Sequence, residues 1–226
     1  MSVRVYSVNP QAPPDGIGRG GWRLAYRDTP SDMLAEIVKP HESPGKAGGS
    51  PCPNENAMRV LVFGNSGSGK STFAQQLGAQ HGLAVLDLDN VVWSPGAPGM
   101  FRADAEIVEA LAVFVRAHQA WVVEGCYARW MEHLLPHATE LVFINPGEDI
   151  CLRHCLARPW EPNKYATREE QDVWLPLLCG WVRDYYSRAD DMSLAAHRRL
   201  FDAFPGTKRE IATDDDTLCR APLPLK

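Results

Sequence analysis

The sequence predicts an α/β fold, and three observations carry that prediction. Continuous apolar runs alternate with amphipathic stretches of helical period, a glycine-rich loop joins the first run to a helix, and acidic residues stand where later runs end.

The first run, Arg59-Val60-Leu61-Val62-Phe63, is β-branched and apolar, as a strand buried on both faces requires. Gly64-Asn65-Ser66-Gly67-Ser68-Gly69-Lys70-Ser71 follows it and fits G-x-x-x-x-G-K-[ST] without a gap. Thr72 then opens a helix that Gly82 can close. Glycines 64, 67 and 69 let backbone N–H groups point at phosphate oxygens, and the helix presents its positive end to the same anion. Lys70 is placed to reach between β- and γ-phosphates, and the Ser71 hydroxyl to ligate Mg²⁺. The expected nucleotide site is therefore Gly64 to Thr72, the expected donor a nucleoside triphosphate, and the expected cofactors ATP and Mg²⁺.

A second run, 83-LAVLDLD-89, ends in Asp87 and Asp89. Strand alternation predicts both carboxylates on one side of the chain, at the end that faces the ligand crevice of an open α/β sheet. One of them can take the proton of an acceptor hydroxyl or help to hold Mg²⁺; the other reading is that Asp89 or Asn90 caps the next segment. The turn-rich 93-WSPGAPG-99 leads to an amphipathic helix over 102–119, with Ile107, Leu111, Phe114 and Val115 on its apolar face and Arg102 at its entry.

The third strand, 121-WVVEG-125, again ends in an acid. Glu124 can hold metal-bound water or activate the nucleophile. The fourth, 140-ELVFINP-146, ends in Asn145, which is no base. A helix over 149–158 carries Arg153 and Arg158, and 159-PWEPNKYATREEQD-172 reads as an irregular lid. Lys164 and Arg168 join those two arginines as groups able to neutralise charge on a transferred phosphoryl. A helix over 173–190 is expected to bury Trp174, Leu178 and Trp181, with Pro176 confined to its first turn and Arg183 facing the site. Residues 207–215 give a weak fifth strand, and 216–226 an unstructured tail.

The chain has 226 residues and a formal charge of −5, which argues against nucleic acid as a partner. No apolar run approaches the roughly 20 residues of a membrane helix. The six cysteines include no C-x-x-C pair, which suits a cytoplasmic setting, and Cys151 and Cys155 read as helix packing. Residues 1–57 hold 8 of the 18 prolines and 7 of the 18 glycines. They read as an attached extension, with a possible strand at 22–28 beside 3–8 and a short helix from Ser31 to Val38. The catalytic domain is expected at 58–215, starting at Met58.

GNSGSGKST, then LD-x-x-x-W at Asp89 to Trp93, then WVVEG-x-Y at Trp121 to Tyr127 resemble the small P-loop kinases of the adenylate kinase-like group. The likeness is nearest to DNA topology modulation (FlaR-like) proteins and covers about 58–190. It implies a P-loop NTPase three-layer sandwich: a five-stranded parallel sheet, helices on both faces and a small arginine-bearing lid. It also implies an acceptor site near Asp89, Arg102 and Glu124; the full set expected to meet a small-molecule hydroxyl or phosphate acceptor is Asp87, Asp89, Arg102, Glu124, Tyr127 and Arg129. Two departures stand out: Cys126 replaces a usual Asn, and Asn145 replaces an acid. Adenylylsulfate, shikimate and gluconate kinases share the acid-bearing second strand, and a nucleotide-binding regulator without transfer activity is the rival class.

Overall fold

The structure, a computed structural model, describes residues 57–94, 100–162 and 165–213. The expected elements in 1–56, the 95–99 turn, Lys164 and the tail from 214 lie outside the described residues.

Five strands form one parallel sheet in the order β2-β3-β1-β4-β5. They are β1 (Arg59–Gly64), β2 (Ala84–Asp87), β3 (Trp121–Gly125), β4 (Glu140–Ile144) and β5 (Thr207–Ile211). The helices are α1 (Lys70–His81), α2 (Asp89–Val92), α3 (Asp104–Ala117), α4 (Ala128–Leu134), α5 (Glu148–Leu156), α6 (Arg168–Asp184) and α7 (Leu194–Ala203). None of them is long and apolar enough to cross a membrane.

Strand alternation sorts the core into two layers. Val60, Val62, Val122, Val142 and Ile144 face α1 and pack on its Phe73, Ala74 and Leu77. Leu61, Phe63, Trp121, Val123, Leu141 and Phe143 face the other way, against Ile107 and Leu111 of α3, Met131 of α4 and Leu200 of α7. Each such side chain taken from water contributes about 1.5–3 kcal/mol, which is why an apolar run covered on both faces outweighs the entropy of ordering it. The three-layer arrangement and five-stranded parallel sheet expected from the sequence are both present.

Several expectations need correction. Strand β2 stops at Asp87, so alternation does not set the position of Asp89. Leu88 turns into the core, its N–H donating to the Glu124 carbonyl at 2.9 Å, and the chain enters α2 at Asp89. The second layer pulls Leu88 inward, and its burial ends the strand. Helix α6 begins at Arg168 because Thr167 caps it, accepting from the Glu170 N–H at 3.1 Å, so the irregular connection is shorter than 159–172. Pro176 therefore sits inside the helix, on its exposed side, rather than in the first turn. The buried face of α6 is Gln171, Cys179 and Val182, while Trp174, Leu178 and Trp181 are only half-buried. What turns the helix is its partner: Cys179 and Val182 meet Cys151 and Cys155 of α5, a cluster of small side chains that permits close approach. Helices α4 and α7 were not foreseen; α7 has a clear start in Ser193, whose hydroxyl accepts from the Ala196 N–H at 3.1 Å.

Candidate functional site

The site lies at the carboxyl ends of β1 and β3, neighbours in the sheet, where α/β sheets open their ligand crevice. After β1 the chain makes its glycine loop and enters α1 with Gly69 as cap, in a left-handed conformation and with no side-chain oxygen on the first-turn amides. Those N–H groups and the helix dipole remain available to an anion.

The loop is held from outside by groups far along the chain. Asn65 donates through Nδ2 to the Val182 carbonyl of α6 at 3.0 Å, and its Oδ1 accepts from the Ser66 N–H at 2.8 Å. The Gly67 carbonyl accepts from Nδ1 of His154 on α5 at 2.8 Å, which makes that nitrogen the protonated one. Gly67 has φ 75°, and a Cβ there would lie 2.2 Å from the Cys151 carbonyl oxygen. Both facts demand glycine, so α5 and α6 clamp the loop from behind. Gly67→Ala is expected to lower stability by about 2–4 kcal/mol, through a strained φ and a backbone clash, with a matching fall in melting temperature. A variant that melts with the wild type would refute the clamp.

Period two places Glu124 on the α1 side of the sheet, with Val122, and α1 begins with Lys70 and Ser71. Glu124 is 2% exposed, and Ser71 hydrogen-bonds its carboxyl, yet Oε2 has no hydrogen-bond partner among the described residues. Burial pushes this carboxyl above the usual carboxylate range; Lys70 and Ser71 pull it down, and Asp87 and Asp89 add to the rise. Burial opposes the Lys70 charge, but Glu124 and Asp89 outweigh it and hold the ammonium above the ordinary lysine value. Burial raises the Cys126 thiol to about 12, so it stays neutral beside them.

Asp87 stands level with Glu124 in the β2–β3 register, its Oδ1 accepting from the Asp89 N–H at the start of α2 at 2.8 Å. The N-cap position falls to Leu88, not to Asp89 or Asn90, and Asp87 takes the first helical N–H. Asp89 in turn accepts at Oδ1 from the Tyr127 hydroxyl at 2.8 Å. Tyr127 is buried; burial first, and then the Asp89 charge, raise its pKa well above the ordinary value. It holds Asp89 from beneath, flanked by the edge contacts of Trp93 and Phe101, whose rings stack at 4.3 Å.

The arginines divide. Arg158 sits within the fields of Lys70 and Asp89 and pairs with Glu161 at 3.1 Å. Arg102 donates from Nε to the Trp93 carbonyl at 3.0 Å and from Nη2 to that of Asn90 at 3.5 Å, bracing the segment after α2. Arg129 pairs with Asp104 at the start of α3 at 2.7 Å. Arg153 and Arg183 are exposed on α5 and α6, and Arg168 pairs with Asp172 at 2.9 Å on the surface of α6. Asn145 donates to Glu210 at 3.2 Å on the β4–β5 edge.

Sequence reading did not assign the roles of His154, Tyr185 and His197. His197 lies fully buried on α7, Nε2 at 2.9 Å from the Cys126 carbonyl and Nδ1 at 2.8 Å from the Tyr185 hydroxyl. The only local sign of it is the helical spacing of Ala196, Leu200 and Phe204 after Ser193.

No family model matches the chain, and no curated protein matches it. Among solved structures it is similar to shikimate kinase from Acinetobacter baumannii in complex with shikimate, at 17% identity over 74% of this chain and 90% of that one, TM-score 0.43. It is similar also to a sugar kinase from Janibacter sp. HTCC2649, at 15% identity over 73% and 91%, TM-score 0.42. A gluconokinase from Sinorhizobium meliloti 1021 gives 16% identity over 72% and 87%, TM-score 0.43. The sheet order and the flanking helices give the α/β architecture on their own terms, and the likeness to DNA topology modulation proteins stays one of sequence.

Proposed function

We propose that the protein is an ATP- and Mg²⁺-dependent phosphotransferase that moves the γ-phosphate to a hydroxyl or phosphate of a small molecule. The observation that carries this reading is Glu124: a buried carboxylate with an orphaned oxygen, beside Ser71 and Lys70, at the mouth of an uncapped helix N-terminus. A carboxylate so desolvated calls for a cation, and the groups present suit Mg²⁺, which takes one or two hard oxygen ligands from protein and the rest from phosphate and water. Ser71 and Glu124 would hold it, the latter directly or through water, and when bound it neutralises phosphate charge.

The loop amides from Gly64 to Thr72 and Lys70 bind the phosphates. Asp89, aimed by Tyr127, orients the acceptor and takes its proton as the acceptor oxygen bonds to the γ-phosphorus and the bond to the β–γ bridging oxygen breaks. Arg158 offsets the charge that develops there. Arg102 and Arg129 shape the acceptor wall through Trp93, Asn90 and Asp104.

A thermal-shift screen tests the reading. A non-hydrolysable ATP analogue with Mg²⁺ is expected to raise the melting temperature, with about 2.7 kcal/mol of stabilisation at a hundred times its Kd. Acceptors that add a further shift are then assayed for a phosphorylated product. Nucleotide binding with no product across polyols, sugars, nucleosides and hydroxy acids would favour a regulator instead.

A further inference from the structure

We infer that Tyr185 and His197 form a buried positioning relay that fixes the exit of β3, and with it Glu124 and the Tyr127–Asp89 pair, for phosphate transfer. The inference rests on the phosphotransferase reading and assigns residues that touch neither phosphate nor acceptor.

The hydrogen bonds fix the direction of the relay. A carbonyl can only accept, so the Cys126 contact at 2.9 Å requires hydrogen on His197 Nε2. Nδ1 then offers a lone pair, and the Tyr185 hydroxyl at 2.8 Å must donate to it. Tyr185 thereby selects the one neutral tautomer that can hold Cys126. Burial above all lowers the His197 pKa to about 4, so the ring is neutral wherever the protein is folded near neutral pH.

The carbonyl it holds lies at a critical place. The register of β3 with β1 ends at Phe63–Gly125, so Cys126 is the first residue beyond the ladder. Two residues before it is Glu124, and one residue after it is Tyr127, the donor to Asp89. This contact therefore helps to hold the path between the proposed metal-side acid and the support of the acceptor-side acid, beside the Leu88 N–H on the Glu124 carbonyl and the Ala128 N–H on the Asp191 carbonyl. It arrives from α7, 71 residues along the chain.

The surroundings argue against plain packing. The ring of His197 stands edge-on to Phe63 at 5.4 Å and Phe143 at 6.0 Å, in an otherwise apolar layer. A leucine would fill such a place without the cost of burying an imidazole and a phenol hydroxyl. What histidine adds is direction, through two hydrogen bonds in line.

The test uses the full-length chain with His197→Leu, His197→Gln and Tyr185→Phe. Glutamine can still donate an amide N–H towards Cys126, whereas leucine cannot. Three quantities are read: ¹⁵N shifts of the His197 ring, affinity for a non-hydrolysable ATP analogue without metal, and Mg²⁺ affinity in the presence of that analogue. In the wild type the ring is expected as a single Nε2–H tautomer between about pH 6 and 8, and as a mixture in Tyr185→Phe. His197→Leu and Tyr185→Phe are expected to keep metal-free analogue affinity within about twofold while Mg²⁺ affinity falls by about 10- to 100-fold, and His197→Gln to recover most of that loss.

Equal loss of both affinities in step with melting temperature, with no rescue by glutamine, would make the pair merely structural and overturn the relay. Unchanged Mg²⁺ affinity in Tyr185→Phe, which removes one hydroxyl and keeps the ring, would overturn it too, even if His197→Leu fails to fold. A wild type that binds no analogue removes the phosphotransferase reading and the relay with it. One that binds, with variants equal to it, removes the relay alone.

Discussion

Lys70→Ala is expected to lower phosphate transfer by at least about 10³-fold while the protein stays folded. Lys70 is the first residue of α1 and is half-buried, outside the apolar clusters that hold the sheet to its helices. Its charge is a different matter. Glu124 and Asp89 hold the ammonium above its ordinary pKa, and the same pairing restrains the rise of Glu124. Without Lys70, Glu124 rises further, so a proton relieves the buried charge more readily as pH falls, while the site lacks its cation for the β- and γ-phosphates at any pH. The destabilisation of the variant should therefore be larger at about pH 8 than at about pH 5, because at the lower pH the proton replaces the lysine. Turnover measured with a phosphorylated acceptor, beside melting curves at the two pH values, separates the two effects. Turnover that survives in a folded Lys70→Ala protein would end the proposed role.

Glu124→Gln is expected to move activity and stability in opposite directions. Turnover falls by about 10²–10³-fold, because an amide can neither hold the cation nor accept a proton. Stability of the ligand-free protein at neutral pH rises. The sign follows from linkage: burial raises the folded-state pKa of Glu124 above its unfolded value, so ionising it costs more in the folded protein. That cost is absent below the unfolded pKa, grows as pH rises, and is complete above the folded pKa. Glutamine removes it, so the variant melts higher than wild type at about pH 7, and the gap closes as pH falls towards about 4. Saturating Mg²⁺ and ATP analogue should shrink or reverse the gap, since the wild type gains more from a cation at Oε2. A variant less stable at neutral pH would show that Lys70 and Ser71 already satisfy the carboxylate.

Much of the architecture was legible because it depends on short-range patterns. Four apolar runs became strands within one or two residues of their predicted bounds, and Cys151 and Cys155 pack as the helical spacing implied. The glycine loop was equally plain, since positive φ and close approach at Gly67 permit almost no other residue. The expected acceptor side was legible only in part. Asp87, Asp89 and Glu124 were found as acids at strand ends, but alternation could not foresee that Leu88 would leave the sheet and let Asp87 take the Asp89 N–H. Tyr127, expected among the acceptor's contacts, has its ring in the core and its hydroxyl on Asp89, a pairing that strand spacing does not reveal. Arg102 and Arg129, both expected beside the acceptor, have partners of their own within the chain. Their partners are backbone carbonyls of Trp93 and Asn90, and a carboxylate 25 residues away, none of which a linear reading can supply.

The sequence alone determined what repeats at short range and what a single residue type dictates: the strand–loop–helix of 59–81, the acids at strand ends, and the amphipathic α3. Tertiary structure decided the contacts that span the chain. Val182 holds Asn65 over 117 residues, His154 holds Gly67 over 87, and His197 holds Cys126 over 71. The physical reason is that a hydrogen bond depends on distance in space and direction of approach, and for partners this far apart both are set by how helices pack on the sheet. Periodicity reports which face of an element is buried; it carries no information about which buried polar group will meet which.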